Sequence, residues 1–149
     1  LLAAQNGHKN VVKLLLERSD VDVNLQSKNG ESPLVWAAFS GHEGVVKLLL
    51  EREDVNVNLK DKYDGTPLWW AVDQGHEGVV KLMLERSDVD VWQDNNGRTP
   101  FSYAAMNGKL NMVKLLLERV DVNSQDKNGR TGGHEIVVKL LLEQGDVDV

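Results

Sequence analysis

GHEGVVKLLLER, residues 41–52, returns with one change as GHEGVVKLMLER at residues 75–86. The two copies lie 34 residues apart, and the Gly-His pair that opens them also stands at Gly7-His8, another 34 residues upstream. Gly108-Lys109 follows Gly75 after 33 residues, and Gly133-His134 follows after only 25 more. Self-similarity at such a period marks a stack of small supersecondary units that cannot bury their apolar faces singly.

Each segment of the unit has a physical reading. In 43–52, Glu43, Lys47 and Glu51 are spaced four apart and share one helical stripe, while Val45, Val46, Leu48, Leu49 and Leu50 cover most of the remaining circumference. Such a helix needs neighbours on more than one side. Ser32-Pro33, Thr66-Pro67 and Thr99-Pro100 each set a hydroxyl at an N-cap and a proline at the first helical position, and Gly41, Gly75 and Gly108 stop these shorter helices about two turns later. The pairs Ala37-Ala38 and Ala104-Ala105 remove bulk, so that neighbouring helices can approach closely. Between units, Val21-Asp22-Val23 and its copies alternate with period two, and Asn29-Gly30, Asn96-Gly97 and Asn128-Gly129 offer the positive φ angles of a tight turn. A hairpin-like loop is expected there.

SKNGESPLVWAAFSGHEGVVKLLL at 27–50 resembles the ankyrin repeat, with its Asp-x-x-Gly-x-Thr-Pro-Leu-x-x-Ala-Ala, Gly-His and Val-Val-x-Leu-Leu-Leu segments. The resemblance runs along essentially the whole chain. It implies an all-α repeat solenoid, an ankyrin-type stack of helix-turn-helix units joined by hairpin-like loops. The expected organisation is one array over 1–149: a partial repeat at 1–24, complete repeats at 25–58, 59–91 and 92–123, and a last repeat at 124–149 that lacks its first helix. Two departures stand out. Where the family has His after Thr-Pro-Leu, this chain has Val35, Trp69 and Ser102, so the hydrogen bond of that His is lost. In the second tip, Tyr63-Asp64-Gly65-Thr66, the glycine comes one residue late and leaves the turn type open.

The shortened last unit is a deletion of known size. Ser32, Thr66 and Thr99 precede the next Gly-His or Gly-Lys glycine by nine residues, whereas Thr131 precedes Gly133 by two. The seven missing residues amount to about two helical turns, one entire short helix. The 134–143 helix is expected to keep its pattern but to dock differently, leaving Val137, Leu140 and Leu141 partly exposed and open to self-association through an uncapped end. Leu1 falls inside a short helix and Val149 at the start of a loop, so a piece of a longer protein is expected.

Composition narrows the function. The 149 residues carry a net charge of -6, which argues against a nucleic-acid binder, since phosphate backbones are held by clustered Lys and Arg. No 18-residue apolar run points to a membrane span, and no basic leader to a signal peptide. The absence of cysteine rules out disulfides and thiolate chemistry. Together with the absence of an Asn-X-Ser/Thr acceptor it leads to an expected intracellular setting, cytoplasmic or nuclear.

Repetition also argues against catalysis and metal binding. His8, His42, His76 and His134 occur once per repeat, spread along a stack whose helices sit ~8–10 Å apart, while Zn²⁺ needs ligands ~2 Å from a common centre. A structural turn role is expected instead, and Lys109 in the same slot shows that imidazole is not required. Lys13, Lys47, Lys81, Lys114 and Lys139 each have Glu four residues on, the pattern of a solvated face. Carboxylates recur with every Asp-Val alternation, whereas an acid/base pair is a single constellation. The stretch from Gly129 to Gly133 lacks the Gly-Lys-Ser/Thr of a phosphate loop. No enzyme, cofactor or metal is expected.

Differences between repeats are where partner specificity would lie. Trp36, Trp70 and Tyr103 share one slot on the short helices and are expected in the core. After the alanine pair come Gln5, Phe39, Asp73 and Met106, which are chemically unlike one another. The loop tips add Lys28, Asn29 and Glu31, then Lys62, Tyr63 and Asp64, then Asn95, Asn96 and Arg98. Trp92 replaces the loop leucines Leu25 and Leu59 and is either an interface anchor or local packing. The resemblance implies a concave face of tips and short helices that binds a protein or peptide, and the residues named from Lys28 to Met106, with Phe39, Asp73 and Trp92, are the expected contact set. A rival reading is a structural or regulatory spacer within a longer protein.

Overall fold

The structure, a computed structural model, describes residues 1–91 and 99–119. Eight helices are found among them: α1 (Leu2–Gln5), α2 (Lys9–Leu16), α3 (Pro33–Phe39), α4 (Glu43–Leu50), α5 (Pro67–Gln74), α6 (Glu77–Leu84), α7 (Pro100–Met106) and α8 (Leu110–Leu117). The odd-numbered short helices form one row, α1·α3·α5·α7, and the long ones a second row, α2·α4·α6·α8, with each short helix packed on the long helix that follows it. The core lies between the rows and between successive units.

Local chemistry sets the helix starts. Ser32 Oγ accepts from Val35 N at 3.2 Å, Thr66 Oγ1 from Trp69 N at 3.1 Å and Thr99 Oγ1 from Ser102 N at 3.1 Å, each ahead of a proline in the first turn. The alanines then let the rows close: Ala37, Ala38, Ala71 and Ala104 have no exposed surface. On the long helices Val45, Val46 and Leu49, and likewise Val79, Val80 and Met83, are buried, while Lys47 and Lys81 stand in solvent. Burying each such large side chain contributes about 1.5–3 kcal/mol.

The histidines join units rather than cap helices. His42 and His76 occupy the N-cap positions of α4 and α6 but make no capping bond. Instead His42 Nε2 lies 3.0 Å from Gln5 O and His76 Nε2 lies 2.9 Å from Phe39 O, in the short helix of the preceding unit. A carbonyl oxygen only accepts, so Nε2 carries the proton in both rings. Lys109 performs the same task with its ammonium, donating to Asp73 O at 2.6 Å. The rings also explain Gly7 and Gly41, each of which faces the histidine ring of the next unit. A Cβ at Gly41, whose φ is +73°, would stand 2.6 Å from His76 Nδ1.

Two further ladders tie the far edge. Arg52 Nη1 donates to Leu16 O at 3.1 Å and Arg86 Nη1 to Leu50 O at 2.9 Å, satisfying carbonyls at the end of the preceding long helix. The same guanidiniums clamp Asp54 and Asp88 at 2.7 Å, and this hydrogen bonding holds both carboxyls below the ordinary carboxylate range. In the loops, Asn24 Nδ2 donates to Asp54 O at 2.7 Å while its Oδ1 accepts from Asn56 N at 2.7 Å, and Asn58 repeats the pattern with Asp88 and Asp90 at 2.8 and 2.9 Å.

The loops turn at the expected places but pair no strands among the described residues. Their valines still alternate inward, with Val55 and Val57 buried on either side of exposed Asn56. At the first tip only Gly30 takes a positive φ, +82°, and Asn29 does not, so the two-residue turn expected of Asn-Gly is not formed. At the second tip Asp64 takes the left-handed position itself, at φ +61°, one residue ahead of the glycine. The tips of Asn96-Gly97 and Asn128-Gly129, and the shortened last unit with Thr131, His134, Val137, Leu140 and Leu141, lie outside the described residues.

Candidate functional site

Short helices carry the side chains that differ most between units, and five aromatic rings on them form one continuous run. Trp36 meets Phe39 with ring centroids 6.1 Å apart, Phe39 meets Trp70 on the next short helix at 5.3 Å, Trp70 meets Trp69 at 4.9 Å, and Trp69 meets Tyr103 on the third at 5.2 Å. The first three contacts are T-shaped, the geometry that sets the positive edge of one ring against the negative face of another. This corrects an expectation. Trp36 and Trp70 are half-buried and outside the core, because the small residues beside them take the inner positions and turn the rings outward along the stack, whereas Tyr103, also half-buried, packs against the core.

The second loop tip is built around one of these rings. Asp61, only 6% exposed, accepts from Tyr63 N at 2.8 Å, Gly65 N at 2.9 Å and Trp70 Nε1 at 2.7 Å. The late glycine has its explanation here. A Cβ at Gly65 would stand 2.4 Å from Trp70 Nε1, so the residue following the turn must lack one for the indole to reach Asp61. At the first tip Ser27 takes the corresponding place, accepting from Asn29 N at 3.0 Å and donating its hydroxyl to the Glu31 carboxylate. The tips are linked by Lys62 N, which donates to Asn29 O at 2.9 Å, and by the Lys62 ammonium, which donates to Asn29 Oδ1.

Of the expected contact residues, Glu31, Phe39 and Tyr63 line a single groove of about 170 Å³ with Trp36, Trp70, Asp61 and Val35. Tyr63 is exposed, and the Lys62 ammonium lies 4.9 Å from its ring centroid. Lys28, Asn29, Lys62 and Asp64 are exposed on the two tips beside this groove. Asp73 is reached through the ribbon's far end, where its carboxylate accepts from the Tyr103 hydroxyl, and Met106 is exposed at the end of α7. Trp92, Asn95, Asn96 and Arg98 lie outside the described residues. The residues alone give no sign of Asp61 beyond the displaced glycine of its own tip, which signals a change of turn partner, and mark Trp69 only as the replacement of the family's His.

Trp69 fills the place where the family has His, and its Nε1 is buried without a hydrogen-bond partner. Ser102, in the equivalent place, is satisfied locally by donating to Thr99 O at 3.0 Å. Among the described residues no group of three or more His, Cys, Asp or Glu could hold a metal ion. No helix there is long and apolar enough to cross a membrane.

Residues 1–94 and 80–149 each match the family model described as ankyrin repeats in three copies. The chain belongs to the ankyrin repeat family. No curated protein matches the sequence. Ankyrin repeats are generally protein-protein interaction modules.

Proposed function

We propose that this ankyrin array binds a protein or peptide partner through the face made by its short helices and loop tips. The observation that supports this reading most is the aromatic ribbon: five half-buried rings from three successive short helices. Large, rigid aromatic side chains are the usual anchors of interfaces. The contact set is Lys28, Asn29, Glu31, Phe39, Lys62, Tyr63, Asp64, Asp73, Trp92, Asn95, Asn96, Arg98 and Met106, within repeats spanning 25–58, 59–91 and 92–123. The mechanism is complementarity of shape and charge, with no catalytic step, in an intracellular setting. Titration of a purified partner against Phe39→Ala and Tyr63→Ala, with Lys47→Ala and Lys81→Ala as controls on the long helices, tests it. Losses of ~2 kcal/mol or more confined to the first pair are expected. Equal losses in both pairs would refute the assignment of the face.

A second contact is end-on self-association. The first unit exposes Leu2, Val11, Leu14, Leu15 and Leu25, beside a groove that reaches the core at Val12, Val23 and Leu49. A clustered apolar surface of this kind favours association. The molar mass in solution should rise with concentration, and Leu14→Glu should abolish that rise. A strictly monomeric chain would refute it.

A further inference from the structure

We propose that the groove between α3, α5 and the first two loop tips receives a cationic side chain of the partner, a lysine, an N-methylated lysine or an arginine. The inference rests on the binding face proposed above and names the chemistry of its central contact. Four aromatic rings, Trp36, Phe39, Tyr63 and Trp70, and two carboxylates, Glu31 and Asp61, line the groove, and none of its described lining residues is Lys, Arg or His. Aromatic faces carry the negative end of the ring quadrupole, so rings and carboxylates here attract the same sign of charge. Asp61 is already bonded to three N–H donors and Glu31 to the Ser27 hydroxyl, but none of these donors is charged, and no described lining residue compensates the negative charges. An anionic occupant would be repelled. A purely aliphatic one would strip water from the partly exposed Glu31 carboxylate and give nothing back. The free protein itself places a cation on one of these rings, where the Lys62 ammonium lies 4.9 Å from the Tyr63 centroid.

The test uses short peptides Gly-Ala-Xaa-Ala-Gly in which Xaa is lysine, trimethyl-lysine, arginine, norleucine or glutamate, titrated into the labelled protein while the Trp36 and Trp70 indole N–H signals are followed. Cationic peptides are expected to shift both signals and to bind roughly three- to thirtyfold more tightly than norleucine, with glutamate weakest. A lead for trimethyl-lysine would place the attraction in the rings, and a lead for lysine or arginine in the carboxylates. Either lead supports the proposal. Glu31→Gln should weaken the cationic peptides and leave norleucine unchanged, with an unaltered melting curve showing that the fold is intact. Lys62→Gln, which removes a competing positive charge beside the groove, should strengthen them. Norleucine binding as tightly as lysine would overturn the cationic preference while leaving the face a binding surface. Indole signals unmoved by every peptide up to its solubility limit would overturn the groove as a side-chain socket. The control substitutions on the long helices independently decide whether the face itself is wrong.

Discussion

Trp70 and Asp61 meet across the second loop tip, indole Nε1 donating to carboxylate Oδ2 at 2.7 Å over a glycine that has no room for a side chain. One bond thus fixes a loop, a turn residue and the orientation of a ring on the candidate binding face. Asp61→Ala should cost about 2–3 kcal/mol, because it leaves the Tyr63 and Gly65 amides and the indole without their acceptor. Gly65→Ala should displace the indole while keeping the carboxylate. Denaturant unfolding reads the first effect and near-ultraviolet circular dichroism the second. An unchanged tryptophan spectrum in Gly65→Ala would contradict the packing described.

His76 and Gly41 form a steric pair across units. Gly41→Ala should be strongly destabilising, since φ there is +73° and the new Cβ would meet His76 Nδ1 at 2.6 Å. His76→Ala loses only the bond to Phe39 O, about 0.5–1.5 kcal/mol. In the double variant the clash is gone and only backbone strain remains, so the two losses should be less than additive by ~1 kcal/mol or more. His76→Lys should recover part of the bond, as Lys109 does at its own position. Strict additivity in the double-mutant cycle would contradict the contact.

Stack stability should follow burial between units. Leu49→Ala, at a site 2% exposed between α4 and its neighbours, should cost about 2–5 kcal/mol, and Leu48→Ala, at a half-buried site, less. Leu14→Ala, 66% exposed on the first unit, should stay within about 0.5 kcal/mol. Urea unfolding of the three variants ranks them. A loss at Leu14 equal to that at Leu49 would contradict the arrangement.

The rows of helices were legible in the residues because the signals are local. Ser32-Pro33, Thr66-Pro67 and Thr99-Pro100 cap helices by bonds spanning three residues, and the alanines and valines bury where their periodicity puts them. The lateral bonds were not legible. His42, Arg52 and Asn24 reach carbonyls 30–37 residues away, and a repeated residue looks the same whether it bonds within its own unit or to the next. Glu31, Phe39 and Tyr63 were picked out from their dissimilarity between units and do come together at one groove. The expectation of a core position for Trp36 and Trp70 fails because hydrophobicity alone does not say which side of a short helix the smaller residues will claim.

Acid should weaken one clamp on the far edge. Hydrogen bonding to Arg86 holds the Asp88 carboxyl below its ordinary range, so the folded pKa is the lower one. The bond's contribution is therefore present above the unfolded value near ~4 and is lost as the pH falls through the folded value. Asp88 is largely solvated, which keeps this contribution under ~1 kcal/mol. Between about pH 5 and about pH 2.5, the urea midpoint of the wild type should fall slightly further than that of Asp88→Asn, and salt should narrow the gap. Identical falls would contradict the clamp.

The central claim, that the short helices and tips form the binding face, is most directly tested by site-specific photocrosslinking in cell extract. A photoreactive side chain is placed at Phe39, Tyr63 or Met106 on the proposed face, or at Lys47 or Lys81 on the long helices, and adducts are identified by mass spectrometry. The same protein adduct should form from the first three positions and from neither lysine site. Adducts from Lys47 and Lys81, with none from Phe39 and Tyr63, would place the partner on the opposite face and contradict the account.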